Sequence, residues 1–195
     1  MRLDLTGRTA VVTGASRGIG LEIVRALVRE GVRVAAGALH GSPELTALAD
    51  DAEMIVVLDD LTTTAGCQTL VDEAVARFGG IDLLVNNVGG VRPRTDGFVH
   101  VTDDDWQWAL EVNLLSAVRA TRAAVPHLLL RAPSAIVTVC SVNAALPDPG
   151  VVDYSAAKAA LRSVNKSLSK ELGPLGVRVN TVSPGPVETA LWLGA

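Results

Sequence analysis

Tyr154 is the chain's only tyrosine and stands four positions before Lys158, one of only three lysines. On a helix, positions i and i+4 share a face, so this phenol and ammonium either act together on one ligand or form an idle surface pair. Ser141 closes the apolar run AIVTVCS upstream of them. A serine at a strand end is ordinarily a turn former, but a Tyr-x-x-x-Lys that follows it also suits hydrogen bonding to a carbonyl or alkoxide oxygen. Tyr154 suits proton transfer to the same oxygen, because an unperturbed phenol titrates near ~10 and is a ready acid at neutral pH. A cation within a few ångströms favours phenolate and lowers that value by roughly 1–3 units, which lets the pair work in both directions. The histidines His40, His100 and His127 are scattered and CSV is not a nucleophile elbow, so a hydrolase triad has little support.

A second cluster lies near the N-terminus. VVTGASRGIG sets Gly14, Gly18 and Gly20 directly after the first apolar run and at the start of an amphipathic one. Glycines there let the backbone turn tightly and approach a pyrophosphate, whose charge meets free N–H groups and the positive end of a helix. Any tight strand-to-helix turn also wants glycine, so position after the first strand carries most of this reading.

The elements that must position these groups follow from short β-rich runs alternating with longer amphipathic stretches. Strands are expected at Arg8–Thr13, Val32–Gly37, Met54–Leu58, Ile81–Asn86, Ala135–Ser141 and Val177–Val182. Helices are expected at Gly18–Arg29, Pro43–Ala49, Ala65–Phe78, Asp103–Leu130 and Val152–Leu172. Right-handed crossovers then give an α/β, doubly wound, Rossmann-type parallel sheet with helices on both faces, forming one domain over 1–195. VTDDDWQWAL reads as a capped helix start, Thr102 with Asp105, and not as a metal site.

Composition narrows the partners. A net charge of -4 without a long basic run favours neither nucleic acid nor an anionic membrane, which leaves a small molecule as the default partner. No apolar stretch approaches the ~20 residues of a membrane helix, and the N-terminus lacks a signal-peptide core, so a cytoplasmic location is expected. Cys67 and Cys140 fit core or incidental thiols.

TGASRGIG resembles the cofactor-binding turn of the short-chain dehydrogenase/reductase family, and NNVG (86–89), YSAAK (154–158) and SPGP (183–186) follow in that family's order and approximate spacing. The resemblance runs over the whole chain and extends to 3-oxoacyl-acyl-carrier-protein reductase-like members. It implies hydride transfer between nicotinamide and a ketone or secondary alcohol, with Ser141 orienting the oxygen and Tyr154 exchanging the proton. It implies that Lys158 also binds the nicotinamide ribose and that Asn113 holds a water continuing the proton relay; a buried structural hydrogen bond explains Asn113 almost as well. By the same resemblance the cofactor contacts are Gly14, Ser16, Arg17, Gly18, Ile19, Gly20, Asp60, Leu61, Asn86, Val88, Gly89, Tyr154, Lys158, Pro184, Gly185, Val187 and Thr189, and the substrate meets Ser141, Asn143 and Tyr154. Val151 and Trp192 are further pocket-side candidates, and a homodimer or homotetramer is implied. A non-catalytic dinucleotide-binding or regulatory protein is the competing reading.

Departures from the family pattern carry expectations of their own. Ala38 stands where an NAD-selecting Asp is found in relatives, and Arg17 stands where NADP users often carry a basic residue, so NADP(H) is favoured over NAD(H). Asp60 is either an adenine contact or a turn former. Val88 replaces the usual Ala and is expected either to narrow the pocket or to displace the nicotinamide slightly. The sequence stops at VETALWLGA, where relatives continue through a lid and a last strand; a truncated or incompletely ordered longer chain is therefore expected, with its final strand at an open edge.

Overall fold

The computed structural model describes residues 4–187. Its strands are β1 (Thr9–Thr13), β2 (Arg33–Ala38), β3 (Met54–Leu58), β4 (Leu83–Asn86), β5 (Ser134–Val139) and β6 (Val177–Val182). Its helices are α1 (Gly18–Arg29), α2 (Pro43–Asp51), α3 (Thr64–Phe78), α4 (Asp103–Leu110), α5 (Ser116–Leu130) and α6 (Val152–Leu172). All strand pairs are parallel, in the order β3-β2-β1-β4-β5-β6, so the chain winds outward from β1 in one direction and from β4 in the other.

The helix starts follow local chemistry. Ser42 caps α2 ahead of Pro43, Thr63 caps α3, and Thr102 with Asp105 forms a reciprocal capping box on α4, which confirms the helix-start reading of the acid cluster. Gly79 ends α3 in the left-handed region at φ 78°, where a side chain would be strained.

Two apolar layers flank the sheet. Val11, Leu84, Ile136 and Val177 pack with Leu70 of α3, Leu128 of α5 and Leu172 of α6, while Val12 and Val34 pack with Val24 of α1 and Leu45 of α2. β1 is buried on both faces, as a central parallel strand must be. β6 instead alternates, with Val177 and Val179 buried and Arg178 and Asn180 exposed; among the described residues it is an edge strand covered on its α6 side.

One expected element changes character. The single helix Asp103–Leu130 is α4 and α5 joined by a π-turn over Glu111–Leu115. Asn113 lies in that widened turn, fully buried, and its amide bonds to backbone on two sides. Periodicity does not distinguish a π-turn from the surrounding α-helix, because the apolar faces continue through it.

Candidate active site

The strand order reverses direction between β1 and β4, so the crevice beyond Thr13 and Asn86 is where an open α/β sheet admits a ligand. Gly14 and Gly18 take positive φ of 67° and 54° there, conformations that favour glycine. A Cβ on Gly20 would lie 2.1 Å from the Gly14 carbonyl oxygen and 2.5 Å from Asn87 Nδ2, so the turn closes on α1 only with glycine at this position.

Asn87 ties the turn to β4. Its Nδ2 donates to the Thr13 and Gly14 carbonyls at 3.2 and 3.0 Å, and its N–H donates to Thr13 Oγ1 at 2.9 Å. Helix α1, unlike α2, α3 and α4, begins without a side-chain cap, and its first turn holds no acid, in contrast to α2 and α4. Its first N–H groups and positive dipole end therefore remain available to an anion, and this donor set fits a pyrophosphate.

The other expected cofactor-side residues fall into distinct places. Arg17 is exposed at the N-cap of α1, Ser16 and Ile19 are half-buried beside it, and Ser42 Oγ donates to the Ser16 carbonyl at 2.7 Å, joining this turn to the start of α2. Asp60 is a turn former: its Oδ1 accepts from the Thr62 hydroxyl and amide at 2.7 and 2.9 Å, and those bonds hold its carboxyl below the usual range. The Leu61 side chain is buried in the core, so only its backbone is left for a ligand. Val88 turns toward the same core, which takes up the methyl groups expected to narrow the pocket. Pro184 accepts from the Val142 N–H at 3.0 Å, placing the 183–187 segment beside the loop that follows β5. Among the described residues Gly185 has open space where a Cβ would stand, and Val187 is exposed. Thr189 and Trp192 lie outside the described residues.

Asn86 is placed differently from the expectation. Its side chain is buried and donates to Thr121 Oγ1 at 2.9 Å and Thr138 Oγ1 at 3.5 Å, under α5 and away from the glycine turn. Strand alternation sends neighbouring side chains to opposite faces, so Asn86 braces α5 while Asn87 braces the turn. The doubled Asn was visible in the sequence, but only register tells which one meets the crevice.

At the carboxyl end of β5 the chemical groups assemble. Ser141 is nearly buried and its Oγ accepts from the Asn143 N–H at 3.2 Å, while Asn143 Nδ2 reaches Ser155 Oγ at 3.4 Å. Lys158 is 3 % exposed, with Nζ donating to the Val139 carbonyl at 3.2 Å and lying 5.7 Å from the Tyr154 ring centroid. Ser141 also lines a cleft of about 430 Å³ with Val142, Leu146, Arg162 and Thr181. Val151 is buried at the start of α6 and is not part of that lining.

The electrostatics modify the expectation for the phenol. Burial pushes Tyr154 above its ordinary value, opposed by a hydrogen bond from the Ser141 side chain. The ammonium is itself destabilised: burial lowers Lys158 to about 8. The phenol therefore keeps its proton at neutral pH, a donor awaiting an acceptor.

Asn113 makes the buried structural hydrogen bonds that are one of the two roles expected for it. Its Oδ1 accepts from the Gly90 N–H at 3.0 Å and its Nδ2 donates to the Gly90 and Ala109 carbonyls at 2.8 and 3.1 Å. The side chain thus clamps the 88–90 loop, and a Cβ on Gly89 would lie 3.2 Å from Asn113 Oδ1 and 3.3 Å from Lys158 Nζ. A relay through Asn113 would have to use its backbone.

The buried lysine has a consequence for stability. With a folded value near 8 against an ordinary 10.5, the unfolded chain binds more protons between those limits, so stability rises with pH across that window. From pH 8 to 10 the gain amounts to about 2 kcal/mol. Cys67, raised by burial to about 11, and Tyr154 act in the opposite sense above their ordinary values, but both are retained in a Lys158→Met variant and cancel in the difference. Urea unfolding of the two proteins across this range should show the wild type gaining on the variant; parallel curves would refute a buried ammonium.

A family profile described as short chain dehydrogenase matches residues 8–193. The chain belongs to the short-chain dehydrogenase family. Within that family it is 38% identical over 193 residues to nodulation protein G of Rhizobium meliloti, spanning 96% of this chain and 76% of that protein. It is 33% identical over 189 residues to the 3-oxoacyl-acyl-carrier-protein reductase FabG of Salmonella typhimurium, with the same two coverages of 96% and 76%. Among solved short-chain dehydrogenase folds, L-sorbose reductase from Gluconobacter frateurii, complexed with NADPH and L-sorbose, superposes at TM-score 0.93 with 32% identity, covering 100% of this chain and 75% of that one. An NADH-dependent reductase complexed with NAD superposes at 0.88 with 30% identity, covering 96% and 82%.

Proposed function

We propose that the chain transfers hydride between a nicotinamide dinucleotide and a ketone or secondary alcohol, with Tyr154 as the general acid and base. The observation that carries this reading is the meeting of Ser141, Tyr154 and a buried Lys158 at the carboxyl end of β5, on the ligand-binding side of the sheet. Lys158 would also serve a regulatory protein that only binds dinucleotide; Ser141 beside a proton-holding Tyr154 is what favours turnover.

Ser141 donates to the substrate oxygen and fixes it near Tyr154. In reduction, Tyr154 Oη delivers its proton to that oxygen as charge develops there; in oxidation the same atom takes the proton back. Lys158, charged at neutral pH, stabilises the phenolate left after delivery. The nicotinamide dinucleotide, when bound, donates or accepts the hydride. Gly14, Gly18 and Gly20, with the uncapped start of α1, would hold its pyrophosphate, and Asn113 keeps the 88–90 loop fixed beside Lys158.

NADP(H) is the preferred form. Ala38 offers no carboxylate to repel a 2′-phosphate, and Arg17 stands exposed at the mouth of the turn. Nicotinamide absorbance recorded against a panel of ketones and alcohols tests both parts of the reading. Turnover should appear with NADPH at a kcat/KM about tenfold above that with NADH, the effect of one charge-assisted phosphate contact. A preference for NADH would remove the cofactor assignment, and no turnover with either cofactor would remove the enzymatic one.

A further inference from the structure

Arg94 forms the centre of a buried ion cluster that the proposed chemistry does not use. Its Nε donates to Asp153 Oδ2 at 3.0 Å and its NH1 to Asp105 Oδ1 at 2.9 Å, and its side chain is 10% exposed against 2% for Asp153. Its backbone N–H also donates to the Gly150 carbonyl at 2.7 Å, immediately before α6. Asp153 directly precedes Tyr154 and its other oxygen, Oδ1, accepts the Tyr154 N–H at 2.9 Å.

This matters because α6 starts without a side-chain cap from its N-cap residue, Val151. Three segments meet at Arg94: the loop after β4, the first turn of α4 and the first turn of α6. We infer that Arg94, through Asp153, is a positioning residue that fixes the first turn of α6 and so holds the Tyr154 phenol against Ser141 and Lys158. The inference rests on the hydride-transfer reading for its effect on rate, but its structural content does not.

The balance of charge supports a fixed geometry. A carboxylate as buried as Asp153 is tolerated only when paired, and the planar guanidinium spans two carboxylates where an ammonium could not. Breaking the pair from the arginine side leaves a buried anion that relaxes by admitting water at the start of α6. Tyr154 would then lose the burial that raises it.

The chain's single tyrosine makes the test direct, since phenolate difference absorbance on alkaline titration reads Tyr154 alone. The charged and titratable groups around it are Cys140 and Lys158, with the Asp153–Arg94–Asp105 cluster reaching its backbone through Asp153; Asp103 and Asp104, in the first turn of α4, are exposed. In folded Arg94→Met the midpoint should fall toward the ordinary value of about 10, while kcat drops about 10²-fold with dinucleotide Kd within about threefold. Arg94→Lys should recover part of both losses, and Asp105→Asn, which frees no buried charge, should move the midpoint the same way by less. If Arg94→Met does not fold, these two variants decide by the same criterion. A folded variant whose midpoint stays at the wild-type value overturns the inference, and so does one whose midpoint rises, since that is Asp153 acting on a phenol that has not moved. The titration needs neither substrate nor cofactor: a wild type without turnover refutes the hydride-transfer reading alone, and an unmoved midpoint in an active protein refutes the positioning role alone.

Discussion

Tyr154→Phe should lower kcat for carbonyl reduction by about 10³-fold while leaving dinucleotide Kd within about threefold. The ring fills the same space, and the hydroxyl is the one group removed. Among the described residues nothing else at the end of β5 replaces it as a proton donor. Ser141 keeps its proton far more tightly than a phenol, and Lys158 is almost completely buried with Nζ turned to the Val139 carbonyl. Because the loss is confined to the transition state, kcat and kcat/KM should fall together. Single-turnover nicotinamide absorbance with a substrate the wild type reduces would check it, and full turnover by the variant would remove Tyr154 from the chemistry.

Much of this site is legible in the sequence because its parts are local. The glycine turn, the serine at a strand end and the i, i+4 pair on α6 each occupy one short segment, and period and punctuation place such segments on a strand, a turn or a helix. The α1 bounds Gly18–Arg29 and the β6 bounds Val177–Val182 came directly from that pattern. What escaped is long-range or depends on parity. Arg94 and Asp153 are 59 positions apart, and no periodicity joins an arginine in a loop to an acid on a later helix. Asn86 and Asn87 are chemically identical neighbours, separated only by which face of β4 each side chain takes. The raised phenol escaped for a third reason: the sequence shows a cation nearby, but the burial that opposes it belongs to the assembled fold.

Gly20→Ala should abolish dinucleotide binding to within detection, a loss of about 10²-fold or more, while Gly173→Ala, just past α6 and outside the site, leaves it nearly unchanged. A methyl on Gly20 would stand 2.1 Å from the Gly14 carbonyl oxygen and 2.5 Å from Asn87 Nδ2, whereas a Cβ on Gly173 would meet nothing within 4 Å among the described residues. Neither neighbour of Gly20 is free to yield. The Gly14 carbonyl is held by Asn87, and Asn87 is held in turn by Thr13 at the end of β1. Relief must therefore come from moving α1 away from the turn, which withdraws the uncapped N–H groups from the position a pyrophosphate would occupy. The core beneath α1, built on Val24 and Leu21, limits how far the helix shifts, so the variant should fold with a lowered Tm. Calorimetric titration with NADPH and NADP+ on both variants, alongside thermal unfolding, separates the outcomes. Wild-type affinity in a folded Gly20→Ala protein would mean that the pyrophosphate is held elsewhere.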